Sequence, residues 1–420
     1  MRRSKPAKGA SGIPRPAPGR RRRRETEKEN IWIFSTCAET ARGYNGRKKE
    51  RCISVKFQSV KENCIYLDAS RSPLYGDAHY PRIKLLRDGR YMLIFQTEQL
   101  GGTIYCAFSP DLEQWSDPRP IVSAYKVRMS DGSVDVRKFM TADAIVLDNG
   151  DILVVCSYRV SDHYRTAIAD NGLVAIRSCD GGETWSVPEI IYVGTNWEPH
   201  VLRLRSGEIH VYFTQIAPKI YLHGFKTLRR SSGIGLIRSY DDGKTWTPFV
   251  TEPPYAAQRA AQQYVTDVEG VRHYTDQMPV GAELKDGSIV LALESRAEDL
   301  SFHLSLAFTH DNWARDLAMD EDGPEDRMNF IRQAAGPYIV ALDSGLTAMS
   351  FNRLGQFFVC AGDETGHCFD EPVRFFEEFT GCFWGSLLAL PGNRVVACLP
   401  EVTKDHTNRI GIQVLKLHND

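Results

Sequence analysis

Two glutamates stand where a strand-forming run meets a polar boundary. Glu198 lies between Trp197 and Pro199, directly before the apolar run Val201–Leu204, and Glu294 closes the apolar run Ile289–Leu293. Burial at such a junction raises the pKa of one carboxyl while its partner stays low. A pair split in this way can deliver a proton with one member and attack with the other. Retaining hydrolysis of a glycosidic bond needs two carboxyls about 5 Å apart. Glu198 and Glu294 are therefore the expected catalytic residues, with Asp143 and Asp276 as reserve carboxylates. Arg82, Arg159, Arg296, Gln215 and Gln277 are expected to bind substrate hydroxyls. Tyr158, Tyr338 and Trp384 are expected to stack on a sugar ring. Gln96 and Glu401 belong to the same set by position.

That set was drawn from the elements that must position it. From about residue 79 the chain repeats one unit: an apolar strand, a turn containing glycine, and a second apolar strand. The turns are Asp88-Gly89, Asn149-Gly150, Ser206-Gly207, Asp286-Gly287, Ser344-Gly345 and Pro391-Gly392. Glycine supplies the positive φ such turns demand. The six hairpins start about 45 to 80 residues apart, and further strand-like sequence follows each. The reading is an all-β, six-bladed β-propeller. In that architecture the start of each inner strand and the end of its partner meet at one face near the axis. The glycine turns lie at the other face, so the chemistry is expected where the first set converges.

A second repeat supports the same architecture. Ser178-Cys179-Asp180-Gly181-Gly182-Glu183-Thr184-Trp185 matches Ser239-Tyr240-Asp241-Asp242-Gly243-Lys244-Thr245-Trp246 in the pattern Ser-x-Asp-x-Gly-x-Thr-Trp. The Ser and Asp side chains can bond the backbone of a tight turn, and the Trp can pack the turn onto a sheet. Weaker copies run from Ser109 to Trp115 and from Thr309 to Trp313, without the glycine. These aspartates are expected to be structural.

Composition narrows the function classes. The 420 residues carry 52 basic and 53 acidic side chains, a net charge of -1, so no global field favours nucleic acid or a membrane surface. The basic residues concentrate at the start, where Arg20–Arg24 is an unbroken run, and residues 1–50 are expected to be a disordered basic tail preceding the propeller of 51–420. No apolar stretch is long enough to span a membrane, and the beginning has no apolar segment of the secretory type, so a cytoplasmic protein is expected. Cys106, Cys156, Cys360 and Cys398 sit in apolar runs and read as reduced core residues. The histidines, including His79, His200 and His273, have no metal-ligand spacing, and no glycine-rich phosphate loop follows a strand. No metal or cofactor is expected, and the partner is a glycan bound by a monomer.

The paired boxes and six hairpins resemble the sialidase-like superfamily over about residues 65–415, where the repeated turn is known as the Asp-box. Within it, Trp197-Glu198-Pro199, Met278-Pro279, the terminal Glu294 and Gly336-Pro337-Tyr338 are similar to motifs of the exo-acting α-L-arabinanases. The resemblance implies an exo-acting, retaining glycosidase of arabinan-type glycans that uses Glu198 and Glu294. It puts the nucleophile first and the acid/base second, with the order left open. Arg82 in Tyr80-Pro81-Arg82-Ile83 resembles the first arginine of true sialidases. The place of their nucleophilic tyrosine reads Gly381-Cys382-Phe383-Trp384-Gly385 here, without a tyrosine. An exo-sialidase is the alternative reading, and a non-catalytic carbohydrate-binding propeller the third.

Overall fold

Four prolines, Pro81, Pro199, Pro279 and Pro337, stand inside apolar strands. Proline cannot donate to a β-ladder, so an internal strand accepts it only at a bulge. The computed structural model, which describes residues 55–61, 64–98, 102–161, 167–216, 232–247, 257–268, 271–299, 301–318, 321–404 and 407–419, places a bulge at each. The expected tail over residues 1–50 lies outside the described residues.

The described chain forms six antiparallel blades. Their inner strands are Ala78–Leu85, Val134–Val146, Asn196–Arg203, Gln277–Glu283, Ala334–Ala341 and Ser386–Leu390. Each inner strand pairs with the strand that follows the glycine turn, and outer strands complete the blade. The inner strands touch one another in this order, and the last touches the first, so the ring is closed. The sixth blade takes its outermost strand, Val55–Ser59, from the opposite end of the chain, pairing Phe57 with Leu417. Strands from early and late in the chain thus share one blade, which ties the ring closed. The architecture is the all-β six-bladed propeller expected from the hairpin count.

The strands are apolar without interruption because both faces are covered. In Ile152–Val160, Val154 and Cys156 pack toward the first blade with Met92 and Ile94. Leu153 and Val155 pack toward the third with Val211 and Phe213. Cys106, Cys156, Cys360 and Cys398 are buried free thiols, as the sequence suggested. Cys368 is disulfide-bonded. No described helix is long and apolar enough to cross a membrane.

The Ser-x-Asp-x-Gly-x-Thr-Trp turns sit at the far end of the third strands of blades two and three. Ser239 Oγ donates to Asp241 Oδ1 at 2.8 Å and accepts the Gly243 N–H at 2.8 Å, while the Thr245 N–H donates to Asp241 at 2.9 Å. Ser178, Asp180, Gly182 and Thr184 repeat the arrangement. Gly182 at φ 90° and Gly243 at φ 78° supply the left-handed backbone the turn requires. Trp185 and Trp246 pack onto the interblade cores. Asp180 is exposed rather than buried, so this turn chemistry works at the surface.

Candidate active site

The bulges explain how side chains reach the axis. Each blade holds one residue in the left-handed region on or just before its inner strand: Tyr80 (φ 55°), Thr141 (φ 52°), Glu198 (φ 43°), Met278 (φ 52°), Gly336 (φ 62°) and Trp384 (φ 54°). A non-glycine residue there is strained by the order of 1–2 kcal/mol. The strain recurs in four blades besides that of Glu198, with glycine taking the place in the fifth, so it belongs to the architecture, and Glu198 occupies a position already turned to the mouth.

Side chains at the end of the partner strand bind these bulges between blades. Gln96 Oε1 accepts the Thr141 N–H, Thr214 Oγ1 accepts the Met278 N–H at 2.8 Å, and Glu294 Oε1 accepts the Gly336 N–H at 2.7 Å. Glu294 therefore sits where a neighbouring blade is clamped. Its other oxygen accepts the Gln277 Nε2–H at 2.8 Å. Burial raises its pKa, partly offset by those two donors and by Arg296. Glu198 is partly exposed and accepts from the Thr214 hydroxyl at 3.1 Å. Burial of its carboxyl, and then the charge of Glu294, push its pKa up to about 7 against the pull of Arg159, Thr214 and Arg82. The two glutamates thus share one electrostatic site at the mouth.

Beneath the mouth a charged plug closes the axis. Asp143 contacts Lys84 Nζ at 2.7 Å and His200 Nδ1 at 2.7 Å, and accepts the Val201 N–H at 3.3 Å. Burial opposes its charge, but Lys84, His200 and Arg82 outweigh it and hold the carboxyl below its ordinary range. Tyr338 reaches across from the fifth blade, with its hydroxyl 3.5 Å from Lys84 Nζ and its ring edge-on to His200. Arg82 lies 3.7 Å from the Tyr80 ring centre and donates from Nη1 to the carbonyls of Pro81 and Trp384 at 2.9 and 3.0 Å. Its Nη2 is buried without a hydrogen-bond partner.

The structure brings together Glu198, Glu294, Gln277, Arg82, Arg159 and Trp384, while Tyr338, buried against Lys84 and His200, belongs to the plug. Arg159 stacks 3.6 Å over the part-exposed Trp197, and Trp384 forms a rim with the exposed Phe383. Arg296 influences Glu294 and stacks over Phe302. Other expected residues lie elsewhere. Asp143 is 1% exposed and belongs to the plug. Tyr158 packs in the core between the first two blades, Gln215 bonds Tyr192 between the second and third, and Asp276 pairs with Arg327 at 2.6 Å. Glu401 pairs with Arg409. The cause is the two-residue period of strands: Tyr158 and Arg159 cannot face the same neighbour. Sequence reasoning missed Tyr80, Lys84 and Thr214 and left His200 without a role. The x-Pro pairs beginning at Tyr80, Glu198, Met278 and Gly336 carried a signal, since each marks a bulge.

Neither a protein-family model nor a curated protein matches the chain by sequence. Solved structures do match by shape. A Dyadobacter fermentans protein of unknown function aligns with TM-score 0.61 at 15% identity over 86% of this chain and 99% of its own. The Penicillium chrysogenum α-L-arabinanase, solved with arabinobiose, aligns with TM-score 0.55 at 16% identity over 86% and 98%. The NanB sialidase of Streptococcus pneumoniae aligns with TM-score 0.56 at 11% identity over 83% and 70%. The fold is therefore a six-bladed β-propeller similar to those of the arabinanase and the sialidase.

Proposed function

We propose that the protein is a retaining, exo-acting glycoside hydrolase of arabinan-type or related glycans, with Glu198 and Glu294 as its catalytic pair. The observation that carries this reading is that the charge of Glu294 reaches Glu198 at the axial mouth, with both carboxyls pushed upward by burial. Their hydrogen bonds divide the roles. The Gln277 Nε2–H and the Gly336 N–H both donate to Glu294, which favours its anion and suits it to attack on the anomeric carbon. The Thr214 hydroxyl can donate or accept, so Glu198 can change protonation within one cycle. Glu198 protonates the leaving oxygen, and the same group then takes a proton from the water that releases the glycosyl-enzyme. This order reverses the one the family resemblance implied. Arg82 and Arg159 supply cationic surroundings, and Trp197, Phe383 and Trp384 offer ring faces to a sugar.

The arabinanase reading draws support from Trp197-Glu198-Pro199 and Met278-Pro279, both of which lie at bulges of the mouth. The sialidase alternative rests on Arg82, and against it stand Phe383 and Trp384 where a tyrosine would be needed. The test is hydrolysis of linear α-1,5-arabinan, aryl α-L-arabinofuranosides and sialyl-lactose by the full chain and by Glu198→Gln and Glu294→Gln. Release of arabinobiose or arabinose is expected, reduced about a thousandfold in either variant. Free sialic acid would establish the alternative. Inactivity toward every sugar would overturn the enzyme reading in favour of a binding propeller.

A further inference from the structure

Thr214 is the hydroxyl member of the three residues that clamp one blade's bulge to the next; the others are the amide Gln96 and the carboxylate Glu294. It is 2% exposed at the end of Ile209–Gln215, paired across the hairpin with Trp197. Its oxygen accepts the Met278 N–H at 2.8 Å, and its hydrogen points to Glu198 Oε2 at 3.1 Å. The Met278 N–H is presented by a backbone at φ 52° inside the fourth-blade bulge. The preceding residue, Gln277, donates its side-chain amide to Glu294. One dipeptide, Gln277-Met278, therefore touches both carboxyls: directly at Glu294, and through the Thr214 hydroxyl at Glu198.

We propose that Thr214 is a positioning residue, which takes its orientation from the Met278 N–H and thereby aims the Glu198 carboxyl and holds it in register with Glu294. The proposal rests on the two-glutamate reading of the site. Its physical content is specific. A hydroxyl anchored through one lone pair keeps its hydrogen for a carboxylate. It also keeps a second lone pair for a carboxylic acid, so a weaker contact survives protonation of Glu198 while the stronger one favours its anion. A donor-only group would favour the anion alone, and an apolar group would offer nothing.

The experiment compares Thr214→Val and Thr214→Ser with the wild type in the full chain. The probe is an aryl α-L-arabinofuranoside, or the panel sugar that the wild type cleaves. In Thr214→Val, kcat/KM is expected to fall about tenfold or more through kcat, with KM nearly unchanged. The limb of the pH profile that reports Glu198 is expected to move upward, because a bond to the charged form has been removed. Thr214→Ser is expected to restore both. A Thr214→Val variant that melts lower yet keeps the wild-type pH profile and kcat would overturn the proposal and leave Thr214 only a clamp. If the wild type cleaves none of the sugars, the enzyme reading fails separately. The carboxyl titration of Glu198, followed by 13C NMR in wild type and Thr214→Val, then decides the positioning role. An upward shift supports it, and no shift overturns it.

Discussion

Asp241 on the turn face and Glu198 at the axial mouth both follow or begin a strand, yet they differ in how many donors they meet. Asp241 accepts from Ser239, from the N–H groups of Lys244 and Thr245, and from the Thr245 hydroxyl. Those bonds, led by Thr245, lower its pKa to about 2. Glu198 accepts from Thr214, and burial carries it to about 7. A carboxylate saturated with local donors holds a turn and has little left to offer a ligand. A carboxyl that is desolvated and under-bonded keeps lone pairs for a substrate and a proton near neutral pH. Asp143 teaches the same lesson from a third position. It is buried like Glu294, but Lys84 and His200 engage it at 2.7 Å, so it serves the frame.

The largest stability effect expected from this contrast is at the plug. Lys84→Met removes the cation opposite a buried carboxylate and is expected to cost about 3 kcal/mol in urea unfolding, since Asp143 keeps only His200, the Val201 N–H and the charge of Arg82. A variant as stable as the wild type would place Asp143 among the solvated carboxylates and dissolve the distinction drawn here.

The next effect is a pair of opposite pH slopes. Glu198 is raised in the fold, so its contribution to stability is fully present below its ordinary value of 4.5 and is lost as pH rises through about 7. Asp180 and Asp241 are lowered, so theirs is present above 3.8 and is lost as pH falls through about 2. Melting temperatures recorded across pH should therefore show Glu198→Gln flattening the neutral side alone. Asp241→Ala should flatten the acid side alone and lower the melting temperature near neutrality by about 2–4 °C. The same slope change in both variants would erase the comparison.

Much of the frame was legible in the sequence. Six glycine turns and two matching boxes carried the blade count, because a turn needing positive φ leaves a residue signature. Glu198 and Glu294 were legible because each ended an apolar run. What stayed hidden is set by which side of a strand faces which neighbour. Tyr158 and Gln215 share the hairpin position of mouth residues but point into blade cores. Lys84 reads as an ordinary strand lysine until Asp143 of the next blade is placed beside it. Thr214 carried no composition signal at all, since its role arises from a backbone N–H some sixty residues away in the chain, at Met278.

The central claim is that Glu294 attacks while Glu198 carries the proton, and azide rescue tests it most directly. Glu294→Ala and Glu198→Ala are incubated with an activated aryl α-L-arabinofuranoside and sodium azide, and the anomeric configuration of the glycosyl azide is read by NMR. The account predicts an inverted azide from Glu294→Ala, where azide fills the cavity of the lost nucleophile. It predicts a retained azide from Glu198→Ala, where azide intercepts the glycosyl-enzyme. The opposite pairing would exchange the two roles. Normal turnover by either variant without azide would contradict the two-glutamate site itself.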